Sequence, residues 1–410
     1  AGVARKQSVM YTPINRRDFV KGASIAAAAA MLDLPRARAA ALPQPTAAKL
    51  PRWRGFNLLE KFIAAQGNAA FREEDFAWMA EWGFNFVRLP MSYYCWSDPH
   101  NWREIREPVM KEIDAALEFG RRYGVHVCMN FHRAPGYSVD RSVKEPFNLW
   151  TDAEALEACV YHWSHFAARY KDVPNSALSF DLLNEPAMVE EGRYVDDATY
   201  FRVAQALVEG IRAESPDRLV IADGLVWGNL PVPALASLGI AQSTRGYQPM
   251  QVSHWKASWV APAERWPRPT WPLPVGEEAA KYDRAQAVRF KEVFSQNPIV
   301  GKMADDPVLQ ADWNRERIEH QLIRPWQALE AMGVGVHVGE WGAHHFTPHD
   351  VTLAWMKDML AAWKDAGWGW ALWNFRGTFG VLDSGRTDVA YEDFHGHKLD
   401  RAMLEVLRAG

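Results

Sequence analysis

Cysteine is scarce in this chain: Cys95, Cys128 and Cys159 are the three in 410 residues, and none forms a CxxC pair. That spacing excludes a disulfide scaffold and a thiolate zinc site. No Gly-rich turn follows the first strand-like segment. Gly55-Phe56-Asn57 stands there instead, which argues against a doubly wound dinucleotide fold. Positive charge is short in the body of the chain. Residues 1–41 hold seven Lys/Arg and two Asp/Glu, so the remainder carries 39 basic and 48 acidic side chains. An acidic body excludes nucleic acid and other polyanions as partners. The Ala-rich stretch 23–32 is too short to span a bilayer, so no membrane partner is expected. No repeat or low-complexity linker divides the chain, and a monomer is expected.

Against these absences, 20 tryptophans stand out. Indole faces stack on the apolar faces of pyranose rings, although core packing accounts for many of them. An apolar run, Ala177-Leu178-Ser179-Phe180-Asp181-Leu182-Leu183, ends in Asn184-Glu185-Pro186. Pro186 cannot continue a central strand, so Glu185 falls where strand becomes loop. A second apolar run, Val334-Gly335-Val336-His337-Val338-Gly339, ends in Glu340-Trp341-Gly342. Two glutamates at the ends of two buried strands suggest cleavage of a glycosidic bond by a carboxylate pair.

The N-terminus reads as an address. Asn15-Arg16-Arg17-Asp18-Phe19-Val20-Lys21 precedes the weakly apolar stretch, and Ala37-Arg38-Ala39 and Ala39-Ala40-Ala41 offer small-x-small cleavage sites. The pattern resembles a twin-arginine export signal, whose passengers cross already folded into the periplasm or outside. Residues 1–41 are therefore set apart, and 42–410 read as a single catalytic domain.

Strand-like and helix-like segments alternate through that domain. Strands are expected near 53–59, 84–91, 125–132, 177–184, 218–224, 240–247, 334–340 and 368–374. Helices are expected near 71–82, 107–123, 152–170, 196–214, 233–238, 315–332, 350–366 and 398–409. Eight such units predict an α/β fold, a closed (β/α)8 TIM barrel. Residues 250–314 interrupt the pattern with Trp255, Trp259, Trp266, Trp271 and Trp313, together with Pro262, Pro267, Pro269, Pro272 and Pro274. This stretch reads as a long insertion after strand 6 without regular structure, over the active-site face.

Catalytic groups of a barrel come from the carboxyl ends of different strands. Those ends offer Arg88 from strand 2, Asn130 and His132 from strand 3, and Asn184 and Glu185 from strand 4. Strand 6 offers Arg245 and Tyr247, strand 7 Glu340, and strand 8 Trp373 and Asn374. His254, Trp255 and Trp341 are further candidates for substrate contact. His395-Gly396-His397 has metal-ligand spacing but lies past strand 8 without a third ligand, and reads as structural.

Arg54-Gly55-Phe56-Asn57-Leu58, Val87-Arg88-Leu89-Pro90, Asn130-Phe131-His132, Leu183-Asn184-Glu185-Pro186, Tyr247, Gly339-Glu340-Trp341-Gly342 and Leu372-Trp373-Asn374 follow one another in this order. The set resembles glycoside hydrolase family 5, the cellulase family of clan A, over about residues 53–410. The resemblance implies Glu185 as general acid/base and Glu340 as nucleophile of a retaining double displacement, with carboxyl groups about 5–5.5 Å apart. It implies Asn184 on the sugar 2-hydroxyl, Trp373 as the stacking floor, and His132, Arg88 and Tyr247 around the cleaved residue. It implies no cofactor and no metal. One departure stands out. The family pattern has His-x-Tyr at the end of strand 6, whereas this chain has Arg245-Gly246-Tyr247, so a cation occupies the histidine position unless His254 folds back to replace it.

The expected substrate is a β-1,4-glucan or gluco-oligosaccharide. A β-mannanase, or an exo-acting β-glucosidase or β-mannosidase, is the alternative within the family. A metal-dependent amidohydrolase would need His-x-His at strand 1, where Gly55-Phe56-Asn57 stands. A non-catalytic sugar-binding barrel would not need both glutamates.

Overall fold

The computed structural model describes residues 42–140 and 143–410. The twin-arginine segment lies outside them. Eight strands form the frame: Arg54–Asn57 (β1), Phe86–Ser92 (β2), His126–Ala134 (β3), Leu178–Asp181 (β4), Val220–Asp223 (β5), Ala241–Gly246 (β6), Val336–Trp341 (β7) and Gly369–Leu372 (β8). All pair in parallel in the order β2-β1-β8-β7-β6-β5-β4-β3, and β2 pairs with β3, so the sheet closes into a barrel. This is the (β/α)8 architecture that the alternation predicts.

The outer helices form where their ends are specified. Glu107–Tyr123 begins with a proline in its first turn, carries Arg121 and Arg122 in its last, and stops at Gly124 with φ 68°. It buries Met110, Ile113, Ala116 and Gly120, spaced three or four apart, on the barrel. Asp197–Glu214 is capped by Asp196, whose carboxylate accepts from the Thr199 N–H at 2.7 Å. After β5 the expected helix is reduced to a 3-10 turn, Pro233–Leu238. The helix before β7 runs through Arg315–Ile318, Glu319–Ile323 and Arg324–Glu330, and the middle piece is wound as a π turn. Pro325, which has no N–H to give, sits just after that turn.

Two expectations change. Residues 250–314 are not structureless: they hold helices Met250–Ser253, Glu277–Val293 and Pro298–Ala304. The tryptophans and prolines hid a run of strong helix formers, Glu277-Glu278-Ala279-Ala280-Lys281, that opens the second of these. Phe290 and Phe294 of that segment edge onto Tyr194, in the loop after β4. The last helix also starts later than expected, at Arg401 with Asp400 as its cap. The preceding residues form a hairpin, Glu392–Phe394 with His397–Leu399. Among the described residues, no helix is long and apolar enough to cross a membrane.

Candidate active site

Side chains alternate along each strand between the helix layer and the lumen. The lumen floor is apolar and aromatic: Trp53, Phe86, Cys128, Leu219, Ile221, Ala241 and Ala371 cluster there, with His126 stacked 3.8 Å from Trp53. Above this floor, where barrels usually carry branched aliphatics, lies a layer of charge. Arg88, Asp181, Asp223 and Arg245 are all buried.

Arg88 spreads its guanidinium over β1, β4 and β7 and the residues just past β4. Nε donates to Asp181 Oδ2 at 2.7 Å, Nη1 to Glu340 Oε1 at 2.5 Å and to Asn57 Oδ1 at 3.1 Å, and Nη2 to Asn184 Oδ1 at 2.9 Å. Burial works against its charge, but Asp181 and Glu340 outweigh that and hold it above its ordinary pKa. Arg245 is the second fork. Nε donates to Glu185 Oε1 at 2.9 Å, Nη1 to Asp223 Oδ1 at 2.9 Å, and Nη2 to Asp223 Oδ2, to Asn184 Oδ1 at 3.0 Å and to Glu340 Oε1 at 3.4 Å. One guanidinium thus touches both glutamates.

Glu340 reaches the lumen through a bulge. Thr244 pairs with Val338 and Arg245 pairs with Glu340, so Gly339 is an extra residue on β7. Strict alternation from His337, which faces the lumen floor beside Phe86, would send Glu340 outward and Trp341 inward. The bulge reverses both. A Cβ on residue 339 would stand 2.4 Å from Ser243 Oγ and 2.9 Å from Arg245 Nη1, so only glycine fits. Glu340 then accepts from Arg88 and Arg245 on Oε1 and from the Tyr247 hydroxyl on Oε2 at 3.1 Å. With donors on both oxygens, it is placed as a carboxylate.

Glu185 sits in the opposite setting. Its φ is +51°, a left-handed conformation that costs a non-glycine residue about 1–2 kcal/mol. The backbone is held there from both sides. Its N–H donates to Asp223 Oδ2 at 2.9 Å, and its carbonyl accepts from the Tyr137 hydroxyl at 2.6 Å. Burial first, and then the charge of Glu340, push the Glu185 carboxyl up to about 8 against the pull of Arg245. Asp181, buried and close to Asp223, is pushed up to about 7.

The other expected site residues are distributed unevenly. His132 Nε2 meets Asn184 Nδ2 at 3.4 Å, and its ring stacks 5.6 Å from Trp373. Burial, and then Arg88 and Arg245, hold His132 well below its ordinary pKa, so it is neutral. Phe62 edges both rings and closes this corner. His254 does fold back, but to the ring of Tyr247 at 4.9 Å. Its Nδ1 is bonded to Ser253 Oγ at 2.8 Å, so it does not take the histidine position beside Glu185. Arg245 does point at that carboxylate. Trp255 is buried within residues 250–314, its indole N–H on the Trp266 carbonyl at 3.1 Å. Trp259 is instead the exposed indole here, 59% accessible, 5.1 Å from His344 and 6.2 Å from Phe379.

Trp341 is a correction. It is fully buried among Trp355, Trp363 and Trp370 in the helix layer, turned away from the lumen by the Gly339 bulge, and does not reach substrate. His397 pairs with Asp383 at 2.7 Å and with Arg376, a structural cluster. Among the described residues, no group of His, Cys, Asp or Glu is arranged to hold a metal ion. Asp181, Asp223 and Tyr137 were missed by sequence reasoning. Asp223 was legible as a lone carboxylate closing the apolar strand Val220-Ile221-Ala222.

Comparison with known proteins accords with this geometry. Residues 45–252 match the family model for cellulase, glycosyl hydrolase family 5. A crystal structure of a glycoside hydrolase aligns with a TM-score of 0.75 at 34% identity, covering 87% of this chain and 99% of the other. Endoglucanase C of Acetivibrio thermocellus is 25% identical over 331 residues, 78% of this chain and 88% of its own length. Cel5A of Thermotoga maritima in complex with mannotriose shares the fold, with a TM-score of 0.58 at 19% identity over 87% of this chain and 97% of the other. The chain belongs to glycosyl hydrolase family 5, the cellulase family, and is a glycosidase.

Proposed function

We propose that this enzyme hydrolyses β-1,4-linked glucan or gluco-oligosaccharides with retention of anomeric configuration, Glu185 serving as general acid/base and Glu340 as nucleophile. The observation that carries the reading is the contrast between the two carboxyl groups. Glu340 receives donors on both oxygens from Arg88, Arg245 and Tyr247, whereas Glu185 is held protonated up to about pH 8 by burial and by the charge of Glu340. A carboxyl group that keeps its proton, facing one clamped by donors on both oxygens, is the mark of an acid and a nucleophile.

In the first step a Glu340 oxygen bonds to the anomeric carbon. The bond from that carbon to the glycosidic oxygen breaks, and the oxygen leaves with its electron pair and takes the Glu185 proton. Esterification removes the Glu340 charge, which lowers the proton affinity of Glu185. In the second step Glu185 accepts a proton from water, whose oxygen bonds to the anomeric carbon and displaces Glu340 as a carboxylate. Asn184 hydrogen-bonds the 2-hydroxyl, Trp373 supplies the stacking floor, and His132 and Phe62 close the subsite around it. Contact by one guanidinium with both glutamates supports the short separation of retaining enzymes over the ~6.5–9.5 Å of inverting ones.

A Glu340→Gly variant should lose turnover and, with azide, give the glycosyl azide of opposite anomeric configuration. Normal turnover in that variant would refute the assignment. Glucan is preferred because the matched curated relative is an endoglucanase. Since the Thermotoga maritima enzyme was crystallised with mannotriose, hydrolysis of cellohexaose and mannohexaose should be compared, and a rate advantage for mannohexaose would select the mannanase reading. The Arg16-Arg17 segment supports export of the folded enzyme, and loss of export in a host lacking the twin-arginine translocase would test it.

A further inference from the structure

Arg245 is an unexpected neighbour for a side chain that must carry a proton. Its Nε lies 2.9 Å from Glu185 Oε1, and a cation there favours the ionised form. The counterweight stands on β5. Asp223 takes both Nη atoms of the same guanidinium, Nη1 on Oδ1 at 2.9 Å and Nη2 on Oδ2. The same carboxylate accepts the Glu185 backbone N–H at 2.9 Å. Asp223 is therefore joined to Glu185 twice, once through the main chain and once through Arg245. It lies wholly buried, behind the side chains that line the cleft.

We propose that Asp223 and Arg245 form a positioning pair for Glu185: Arg245 aims the carboxyl group, while Asp223 neutralises the charge that Arg245 brings and holds the Glu185 main chain in its left-handed turn. The inference rests on the acid/base reading of Glu185. The division of labour suits a group that must be acid and then base. During glycosylation the paired guanidinium orients Glu185 without stripping its proton. After Glu340 is esterified, the same guanidinium is in place to receive an ionised Glu185.

Every element around the site contributes to the balance. β6 presents Arg245 and Tyr247, β7 Glu340, β2 Arg88, β3 His132 and β4 Asp181, while Tyr137 grips the Glu185 carbonyl. β1 and β8 face the lumen with the uncharged Asn57 and Trp373. Asp223, like Asp181, carries a charge removable without altering a group placed against substrate, and of the two it is the one bonded to both Arg245 and the Glu185 main chain.

Asp223→Asn keeps the side-chain shape and an acceptor oxygen but loses the charge. The basic limb of kcat/KM should move down by about one pH unit or more, because Arg245 loses its two-pronged carboxylate partner and keeps only the 3.4 Å contact to Glu340 against its pull on Glu185. Hydrolysis of an aryl cellobioside with a poor leaving group should fall about tenfold more than that of 2,4-dinitrophenyl cellobioside, whose departure needs no proton. Covalent labelling of Glu340 by 2,4-dinitrophenyl 2-deoxy-2-fluoro-cellobioside reports intact sites independently of acid assistance. A labelled Asp223→Asn enzyme with the wild-type limb and equal losses on both substrates overturns the proposal. Should that variant fail to label, the neutral double variant Asp223→Asn/Arg245→Met decides. It should label, yet hydrolyse the poor-leaving-group substrate about tenfold or more below wild type, and wild-type rates in it overturn the proposal. If the wild-type enzyme itself is not labelled at Glu340, it is the underlying reading, with Glu340 as nucleophile and Glu185 as its acid/base partner, that fails, not the pairing.

Discussion

Arg88 and Glu340 are joined end to end inside the barrel, Nη1 to Oε1 at 2.5 Å, with both side chains buried. The same guanidinium neutralises Asp181, so its removal takes the paired cation from Asp181 and leaves Glu340 only the longer contacts to Arg245 and Tyr247. Breaking a buried pair from one side costs about 3–5 kcal/mol. Arg88→Met should lose about that much stability in urea unfolding and about 10²-fold or more in kcat/KM. Arg88→Lys restores a charge but not the fork, and should recover stability more than activity. A lysine variant with wild-type kcat/KM would show that only charge matters here.

The raised proton affinity of Glu185 has a consequence for stability. The unfolded chain ionises this group near its ordinary 4.5, while the fold holds the proton to about 8. Between those values the native state binds the extra proton, so the stability that Glu185 contributes is full below about pH 4.5 and is lost as pH rises through 8. Glu185→Gln cannot ionise and should be more stable than wild type at pH 8, by about 2 °C or more in Tm, while the two converge at pH 4. Thermal unfolding at the two pH values checks this, and equal Tm values at pH 8 would mean that Glu185 ionises freely.

Most of the site was legible because it follows from the strand ends. Glu185, Glu340, Tyr247, His132 and Trp373 lie at or just past the carboxyl ends of strands, where period-2 alternation and the following loop mark them, and Arg88 shows as a lone charge inside the apolar strand β2. Two kinds of residue escaped. Asp181 and Asp223 lie deeper than Glu185, and the one mark each leaves in the sequence is a single carboxylate in an apolar run. Trp341 was misplaced because one extra residue, Gly339, shifts the parity of β7, and a bulge leaves no mark in the hydrophobic pattern beyond the glycine itself. The helix Glu277–Val293 escaped for a different reason: its flanks are rich in proline and tryptophan, while its own residues are ordinary helix formers.

Gly339 is therefore a position where one methyl group should matter. The added Cβ would press on Ser243 and Arg245, and either the bulge opens or Arg245 withdraws from Glu340 and Glu185. Displacement of about 1 Å can cost 10² in rate. Gly339→Ala should lose about 10²-fold in kcat with a comparatively small change in unfolding midpoint. Full activity would show that Arg245 can yield without consequence.

Trp341 and Trp373 should separate cleanly. Trp341→Ala empties a packed site among Trp355, Trp363 and Trp370 and should cost about 3–5 kcal/mol. Trp373→Ala, at the half-buried face beside His132, should leave stability closer to wild type and remove most activity. Denaturant unfolding and kinetics on the same two proteins settle it, and the opposite pattern would return Trp341 to the cleft.

Trp259 offers a test of how the substrate extends. A chain of rings runs outward from Glu340: Tyr247 bonds Glu340, His254 edges Tyr247 at 4.9 Å, and Trp259 edges His254 at 6.0 Å. At its outer end Trp259 is 59% exposed, which is unusual for an indole already packed against three other rings. If it carries a distal sugar, Trp259→Ala should raise KM for cellohexaose about tenfold, a loss near 1.4 kcal/mol, and change the sizes released. The same variant should treat 2,4-dinitrophenyl cellobioside as wild type does, because that substrate ends before the indole. A uniform loss on long and short substrates would instead assign Trp259 to packing of the loop around His344 and Phe379.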